Sequence, residues 1–116
     1  YKAAIAQAVI FGSVHLLNLI NGFAFEVLAQ VIYATFIGFG FAGAVIYTRS
    51  IWPAVFIHGF INAMANINLY FEPDYVRTPN EPLVLVALVV YIFIMGVGVG
   101  HWGIRQYWQD AKLRDA

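Results

Sequence analysis

Apolar residues form four long, uninterrupted stretches along the chain, and short polar segments separate them. Each stretch is close to the roughly 20 residues that a helix needs to cross a hydrocarbon core about 30 Å thick. The apolar positions are continuous and do not alternate with polar ones, which argues against membrane β-strands. The pattern therefore predicts an all-α fold, a bundle of about four transmembrane helices in a single membrane domain (residues 1–116), with helices over about 3–20, 27–47, 51–71 and 83–104.

The polar segments predict where the helices begin and end. The Asn21-Gly22 pair marks a turn, and Glu26 follows it where the positive end of a helix dipole favours an acid. Ser50 is placed to cap the third helix, with Pro53 in the first turn, where proline is tolerated. The longest predicted loop, 72–82, contains three of the four prolines.

Small residues recur at four-residue spacing inside two of the predicted helices. Ala34, Gly38 and Ala42 share one stripe, and Gly96 and Gly100 share another. Such stripes let helix backbones approach each other closely in lipid. Residues 38–43 also spell G-x-G-x-x-G, but a dinucleotide site needs this motif between a strand and a helix, so we discard that interpretation.

The composition indicates that lipid is the solvent for most of the chain. Hydrophobic residues make up 62% of the 116 residues and charged residues 10%, against roughly 45–50% and 25% in soluble domains. A soluble domain of this size leaves too much surface exposed to hide so many apolar side chains. Six basic and six acidic residues cancel, which gives no electrostatic case for a nucleic-acid partner.

The distribution of basic residues predicts an orientation. If Lys2 is cytoplasmic, four crossings place Arg49 and a polar tail after Ile104 on the same side. Five of the six basic residues then lie on one face, as the positive-inside rule expects, and only Arg77 lies on the other. We therefore expect an integral multi-pass protein with Lys2, Arg49 and the C-terminal tail in the cytoplasm.

Three polar side chains lie deep inside predicted crossings. His15 is in the first helix, and His58 and Asn62 are in the third, four residues apart and so on one helix face. Ionisable groups inside a membrane are costly and usually face a bundle interior or a wet cavity. A single polar residue of this kind more often serves only as an interhelical hydrogen-bonding group, which is the interpretation we give Gln7, Asn18 and Gln30. His15, His58 and Asn62 taken together indicate a site.

The chemistry available to these groups is limited. A zinc site would need three His, Cys, Asp or Glu ligands and an open position. Asn62 is not such a ligand, so we predict no cofactor. The alternative is a divalent metal such as zinc on His15 and His58. The ring N–H of His58 and the amide of Asn62 suit an oxyanion in a low-dielectric cavity. His15 would polarise a water. A small transporter that uses His15 and His58 as a proton relay is a further alternative.

Two motifs carry a family resemblance. Phe11 and His15 form F-x-x-x-H, and the Ser50-Ile51-Trp52-Pro53 approach leads to His58 and Asn62 as H-x-x-x-N. Together, over about residues 4–66, they resemble the CAAX protease and bacteriocin-processing family, also called the Abi family, of intramembrane endopeptidases.

The resemblance implies a function and a mechanism. His15 would help a glutamate activate water against a peptide carbonyl, and His58 and Asn62 would stabilise the tetrahedral oxyanion. The partner would be a peptide or protein substrate at the lipid bilayer. Eukaryotic relatives trim prenylated CAAX proteins, and bacterial relatives are linked to bacteriocin maturation or immunity. We expect this chain in a bacterial cytoplasmic membrane.

One family motif has no counterpart in the chain. The family places E-E-x-x-x-R on a helix upstream of F-x-x-x-H, whereas Glu26, Glu72 and Glu81 all lie downstream of it. We therefore expect that the chain is the C-terminal portion of a protease domain and is inactive by itself. The alternative is a non-catalytic membrane scaffold or bacteriocin-immunity protein with the same fold.

Overall fold

The computed structural model describes residues 1–20, 24–65, 71 and 89–115. Over these ranges the chain is helical and contains no strand, which confirms the predicted all-α bundle. Two segments, Lys2–Ile20 and Val27–Thr48, are long and apolar enough to cross a membrane. The helices are α1 (Lys2–Val14), which continues as a 3₁₀-helix (His15–Ile20), then α2 (Ala24–Thr48), α3 (Trp52–Ala65) and α4 (Val99–Arg114), preceded by helical residues 89–93 and a π-helical turn (Ile94–Gly98).

The connection between α2 and α3 follows the prediction from Ser50 and Pro53. The backbone N–H of Trp52, the first residue of α3, donates a hydrogen bond to Ser50 Oγ over 3.3 Å. Pro53 is the second residue of that helix. Arg49 has a φ of 55°, in the left-handed region, which turns the chain between the two helices.

Two helices differ from the prediction. The α-helical geometry of the first ends at Val14, shortly after the weak helix formers Gly12 and Ser13, and the chain continues in the tighter 3₁₀ form. The fourth helix extends to Arg114, so the predicted polar tail after Ile104 is helical. Polarity ends a membrane segment but not a helix, and the tail is rich in good helix formers such as Arg, Gln and Lys.

Several predicted features lie outside the described residues. They are the Asn21-Gly22 turn, the 72–82 loop, and the parts of the third and fourth predicted helices over 66–70 and 83–88. Glu26 is the third residue of α2, in its first turn, as predicted.

Helix α2 packs against α1 through small residues. Ala4, Ala8 and Gly12, spaced four apart, are the buried residues of α1. A methyl group on Gly12 would overlap the Thr35 side chain and approach the Val31 carbonyl oxygen. The Ala4–Ala8–Gly12 stripe was not predicted, although its spacing is the same as that of the stripes that were.

The contact between α2 and α4 is also close, and it runs backbone to backbone. A Cβ atom on Gly43 would lie 2.5 Å from the Cα of Gly100, and one on Gly96 would meet the Phe36 carbonyl. The predicted close approach of glycine-bearing helices is therefore confirmed for the fourth helix. On the α2 side the contact uses Gly40 and Gly43, whereas Gly38 of the predicted stripe faces α1.

The first prediction concerns Gly43. We expect Gly43→Ala to lower the free energy of unfolding by about 1–3 kcal/mol, because the added methyl group meets backbone atoms of Gly100 that cannot move aside independently. The measurement is unfolding of the protein in bicelles. The matched control is Gly98→Ala, at a position with nothing within 4 Å of the added atom. Equal stability of the two variants would contradict the packing described above.

Candidate functional site

His15 occupies the point where the first helix changes from α to 3₁₀ geometry. At this position its backbone N–H bonds the carbonyl of Gly12, three residues back. In a continuing α-helix it would bond Phe11, four residues back. The Phe11 carbonyl instead accepts a hydrogen bond from the imidazole Nδ1 of His15 over 3.1 Å.

This hydrogen bond fixes the tautomer of the neutral imidazole. A carbonyl oxygen can only accept, so Nδ1 carries the proton and Nε2 keeps its lone pair. The His15 ring is half-buried. The local backbone geometry thus presents Nε2 as a hydrogen-bond acceptor, which is the form that a water-activating histidine requires.

His58 lies in the middle of α3 and packs against two phenylalanine rings. Its centroid is 5.1 Å from that of Phe11 in an edge-to-face arrangement, and 5.9 Å from that of Phe41 in a stacked one. The Phe11 and Phe41 rings contact each other at 5.8 Å. Three helices therefore meet at His58, since Phe11 is on α1 and Phe41 is on α2.

The Phe11 ring joins the two motifs. Its centroid lies 5.4 Å from that of His15 and 5.1 Å from that of His58, so the two imidazole centroids are no further apart than the sum of these distances. Asn62 follows His58 by one turn of α3, so the two share a helix flank. Asn62 is exposed.

A cleft between α1, α2 and α3 opens beside His58. Its volume is about 410 Å³. Gln7 and His58 are the polar side chains among its lining residues, and His15 and Asn62 are not part of the lining. The remaining wall is apolar, with Phe11 and Phe41 at the His58 end and Ala3, Ala4, Ala42, Val45, Ile46, Ile51, Ala54 and Val55 along the sides.

The comparison with known protein families bears on these motifs. The sequence profile of the type II CAAX prenyl endopeptidase Rce1-like family matches residues 1–64, which is more than half of the chain. The chain belongs to this family. It is therefore a membrane protein of the CAAX protease type, as the resemblance implied. The match spans α1, α2 and nearly all of α3, and so contains both motifs.

The other comparisons add no relative. No curated protein and no solved structure matches the chain. The family assignment therefore rests on residues 1–64, and α4 lies outside the matched region.

Sequence reasoning did not predict two residues of this candidate site. Gln7, interpreted as structural glue, lines the cleft beside His58. Phe11, used only to define a motif, touches both histidines. A signal was present, because Gln7, Phe11 and His15 are spaced four apart and so lie on one flank of the first helix.

Two other polar residues satisfy each other, as the glue interpretation predicted. Asn18, on the 3₁₀ segment, donates a hydrogen bond from Nδ2 to Oε1 of Gln30 on α2 over 2.8 Å. This contact ties the end of the first helix to α2. His101, predicted at a membrane edge, shares a 2.9 Å hydrogen bond with the hydroxyl of Tyr1.

Within residues 1–20, 24–65 and 89–115, the side chains near the two histidines do not supply the ligands of a protein zinc site. Among the residues that the structure describes, no group of three His, Cys, Asp or Glu side chains converges. A zinc site takes three or four such ligands. Glu72, Glu81 and the side chain of Glu26 lie outside the described part. We therefore derive no chemical step through a metal.

The second prediction concerns Phe11. We expect Phe11→Leu to lower peptidase activity of the full-length protein by about 10- to 100-fold, because both imidazoles lose the ring that fixes their positions. The measurement is the rate of peptide cleavage in detergent or liposomes. Phe60→Leu, at an exposed position on α3, is the matched control. Similar rates for the two variants would show that the ring contacts do not position the histidines.

Proposed function

We propose that the protein is an intramembrane endopeptidase in which His15, His58 and Asn62 act on the scissile peptide bond. The observation that supports this function best is the contact of one ring, Phe11, with the histidines of both motifs. Membership of the CAAX endopeptidase family supports the same reaction class. The substrate is a peptide or protein at the membrane.

In this proposal, His58 and Asn62 bind the oxyanion. Peptide hydrolysis passes through a tetrahedral intermediate whose oxygen is negatively charged, and hydrogen-bond donors aimed at that oxygen lower the barrier. His58 offers a ring N–H and Asn62 an amide N–H from adjacent turns of α3. The apolar surroundings of His58 strengthen such a donor, because a low dielectric screens charge weakly.

His15 serves water activation. Its Nε2 lone pair accepts a hydrogen bond from the attacking water, and a glutamate of the family's upstream motif takes the proton. The water oxygen adds to the carbonyl carbon, the carbon–nitrogen bond then breaks, and the proton passes to the leaving amine. The family's motif carries this glutamate upstream of F-x-x-x-H, and the glutamates of this sequence all lie downstream of His15.

The cleft beside His58 suits the apolar part of a substrate. Its wall is aliphatic and aromatic along most of its length, so an aliphatic or isoprenoid group would bury there without leaving a polar group unpaired. The Gln7 amide can donate from its NH₂ group to the C=O of a peptide unit and accept at its oxygen from the N–H. We assign Gln7 to the substrate backbone near the scissile bond.

The third prediction tests the oxyanion site. In the full-length protein, His58→Ala and Asn62→Ala are each expected to lower kcat for peptide hydrolysis by about 10²–10³-fold with a smaller change in KM, because each removes a donor used in the transition state. The measurement is steady-state cleavage of a membrane-associated peptide. His101→Ala is the matched control, since His101 lies at the other end of the bundle beside Tyr1.

The outcomes separate the two functions considered. Undiminished cleavage by His58→Ala would remove this residue from the mechanism. Absence of hydrolysis by the unmodified full-length protein over a broad peptide set would favour the non-catalytic scaffold or immunity protein.

We also propose that the bundle end carrying Arg49 faces the cytoplasm. Arg49 lies over the ring of Tyr107, 5.7 Å from its centroid, and Tyr47 packs against Trp102 at 5.0 Å. Arg49 and these amphipathic rings thus lie at one end of α2. Such rings occur at both membrane boundaries, whereas basic residues are in excess on the cytoplasmic side.

The fourth prediction tests this orientation. The sequence contains no cysteine. A single cysteine introduced into a cysteine-free full-length protein is therefore the one site that a maleimide can label. We expect Gln109→Cys, on the helical tail, to react with a membrane-impermeant maleimide only from the cytoplasmic side. Leu19→Cys, near the opposite end of the first helix, is expected to react only from the outside. The reverse pattern of labelling would invert the topology.

A further inference from the structure

One side of α4 carries a row of alternating indoles and cations. The row consists of Trp102, Arg105, Trp108 and Lys112, spaced three, three and four residues apart. At about 100° per residue, this spacing keeps all four on one side of the helix. All four side chains are exposed, Trp102 to 50% and Trp108 to 56%.

The opposite side of α4 packs on the bundle. Gly100, Gly103 and Ile104 are buried there, and Tyr107 lies under the Arg49 guanidinium. Asp110 lies roughly 150° around the helix from the centre of the row. Asp115, the exposed residue that caps the end of α4, lies three residues beyond Lys112. In the described part of the chain, no carboxylate forms an ion pair with Arg105 or Lys112. The row is therefore an outward surface whose two cations form no ion pair within the described part of the chain.

The first part of the row, Trp102 and Arg105, lies at the depth of the polar layer of a membrane. Trp102 contacts Tyr47, close to the end of the span Val27–Thr48, so Trp102 lies near the hydrocarbon boundary. At 1.5 Å per residue, Arg105 lies about 4.5 Å beyond it and Lys112 about 15 Å beyond it. Helical side chains lean back toward the N-terminus, and lysine reaches back further, toward a headgroup layer about 5–7 Å deep.

We propose that this row binds the phosphate groups of anionic phospholipids. The Arg105 guanidinium can donate two parallel hydrogen bonds to phosphate oxygens, and the Lys112 ammonium adds a second positive charge. The Trp102 indole, at the hydrocarbon boundary, covers the adjacent glycerol region with an apolar body and a polar N–H. The site is independent of the proposed peptidase function, because it depends only on the membrane insertion of the bundle and on the geometry of α4.

The fifth prediction tests this lipid site. The full-length protein, with all tryptophans except Trp102 and Trp108 replaced by phenylalanine, is placed in bilayers of phosphatidylcholine and phosphatidylglycerol. Quenching of the two indoles by brominated forms of each lipid measures the relative affinity. We expect phosphatidylglycerol to be preferred. Arg105→Gln and Lys112→Gln should each lower the preference by up to about fivefold, and the double variant should bring it close to one.

The matched control is Arg114→Gln, on the same exposed tail but roughly 165° from the row. It changes the net charge by the same amount, and the preference is expected to persist. Equal quenching by the two lipids in the unmodified protein, or an equal loss in the Arg114 variant, would overturn the proposal. So would loss of the preference in excess inorganic phosphate, which would show a general anion site. Weak quenching by both lipids would show that something other than lipid covers the row.

Discussion

The close approach of α2 to both α1 and α4 is the constraint on which the rest of the structure depends. Lipid tails are as apolar as leucine, so helices in a membrane gain little by burying large side chains against each other. They gain from contact between backbones, which needs glycine or alanine at each crossing. Gly12 against Thr35 and Gly43 against Gly100 provide that contact on two sides of α2. Larger side chains fill the space beside these crossings: Phe39 packs on the core around Ile104, and Phe11 and Phe41 contact His58 of α3.

This arrangement explains why α3 meets the bundle through rings. Along the described part of α3, Val55, Phe56 and Phe60 are exposed. His58 is half-buried and enters the space between Phe11 and Phe41. Aromatic contacts of this kind add about 0.5–1.5 kcal/mol each beyond the area they bury. The helix that carries the proposed oxyanion donors is thus positioned by a few contacts centred on His58.

The sequence predicted those features that a single rule controls. Four helices followed from apolar length, because lipid leaves few other ways to satisfy the backbone. The shared flank of His58 and Asn62 followed from helix geometry alone. The contact of Phe11 with His58 depends on how α1 and α3 cross, which no local pattern contains. The change to 3₁₀ geometry at His15 and the continuation of the last helix to Arg114 follow local helix propensity, which hydropathy does not register.

The fate of each hydrogen-bonding group distinguishes structural from chemical roles among the polar residues. Asn18 donates a hydrogen bond from its amide to the amide oxygen of Gln30, and this bond holds two helices together. His15 uses Nδ1 to donate a hydrogen bond to a carbonyl of its own helix, so that Nε2 can still accept one. The ring contacts of His58 are with phenylalanine faces and edges, which consume neither nitrogen. Among the described residues no buried side-chain nitrogen or oxygen lacks a partner, so the unused imidazole nitrogens are accessible. This access supports the proposed roles of His15 in water activation and of His58 in binding the oxyanion.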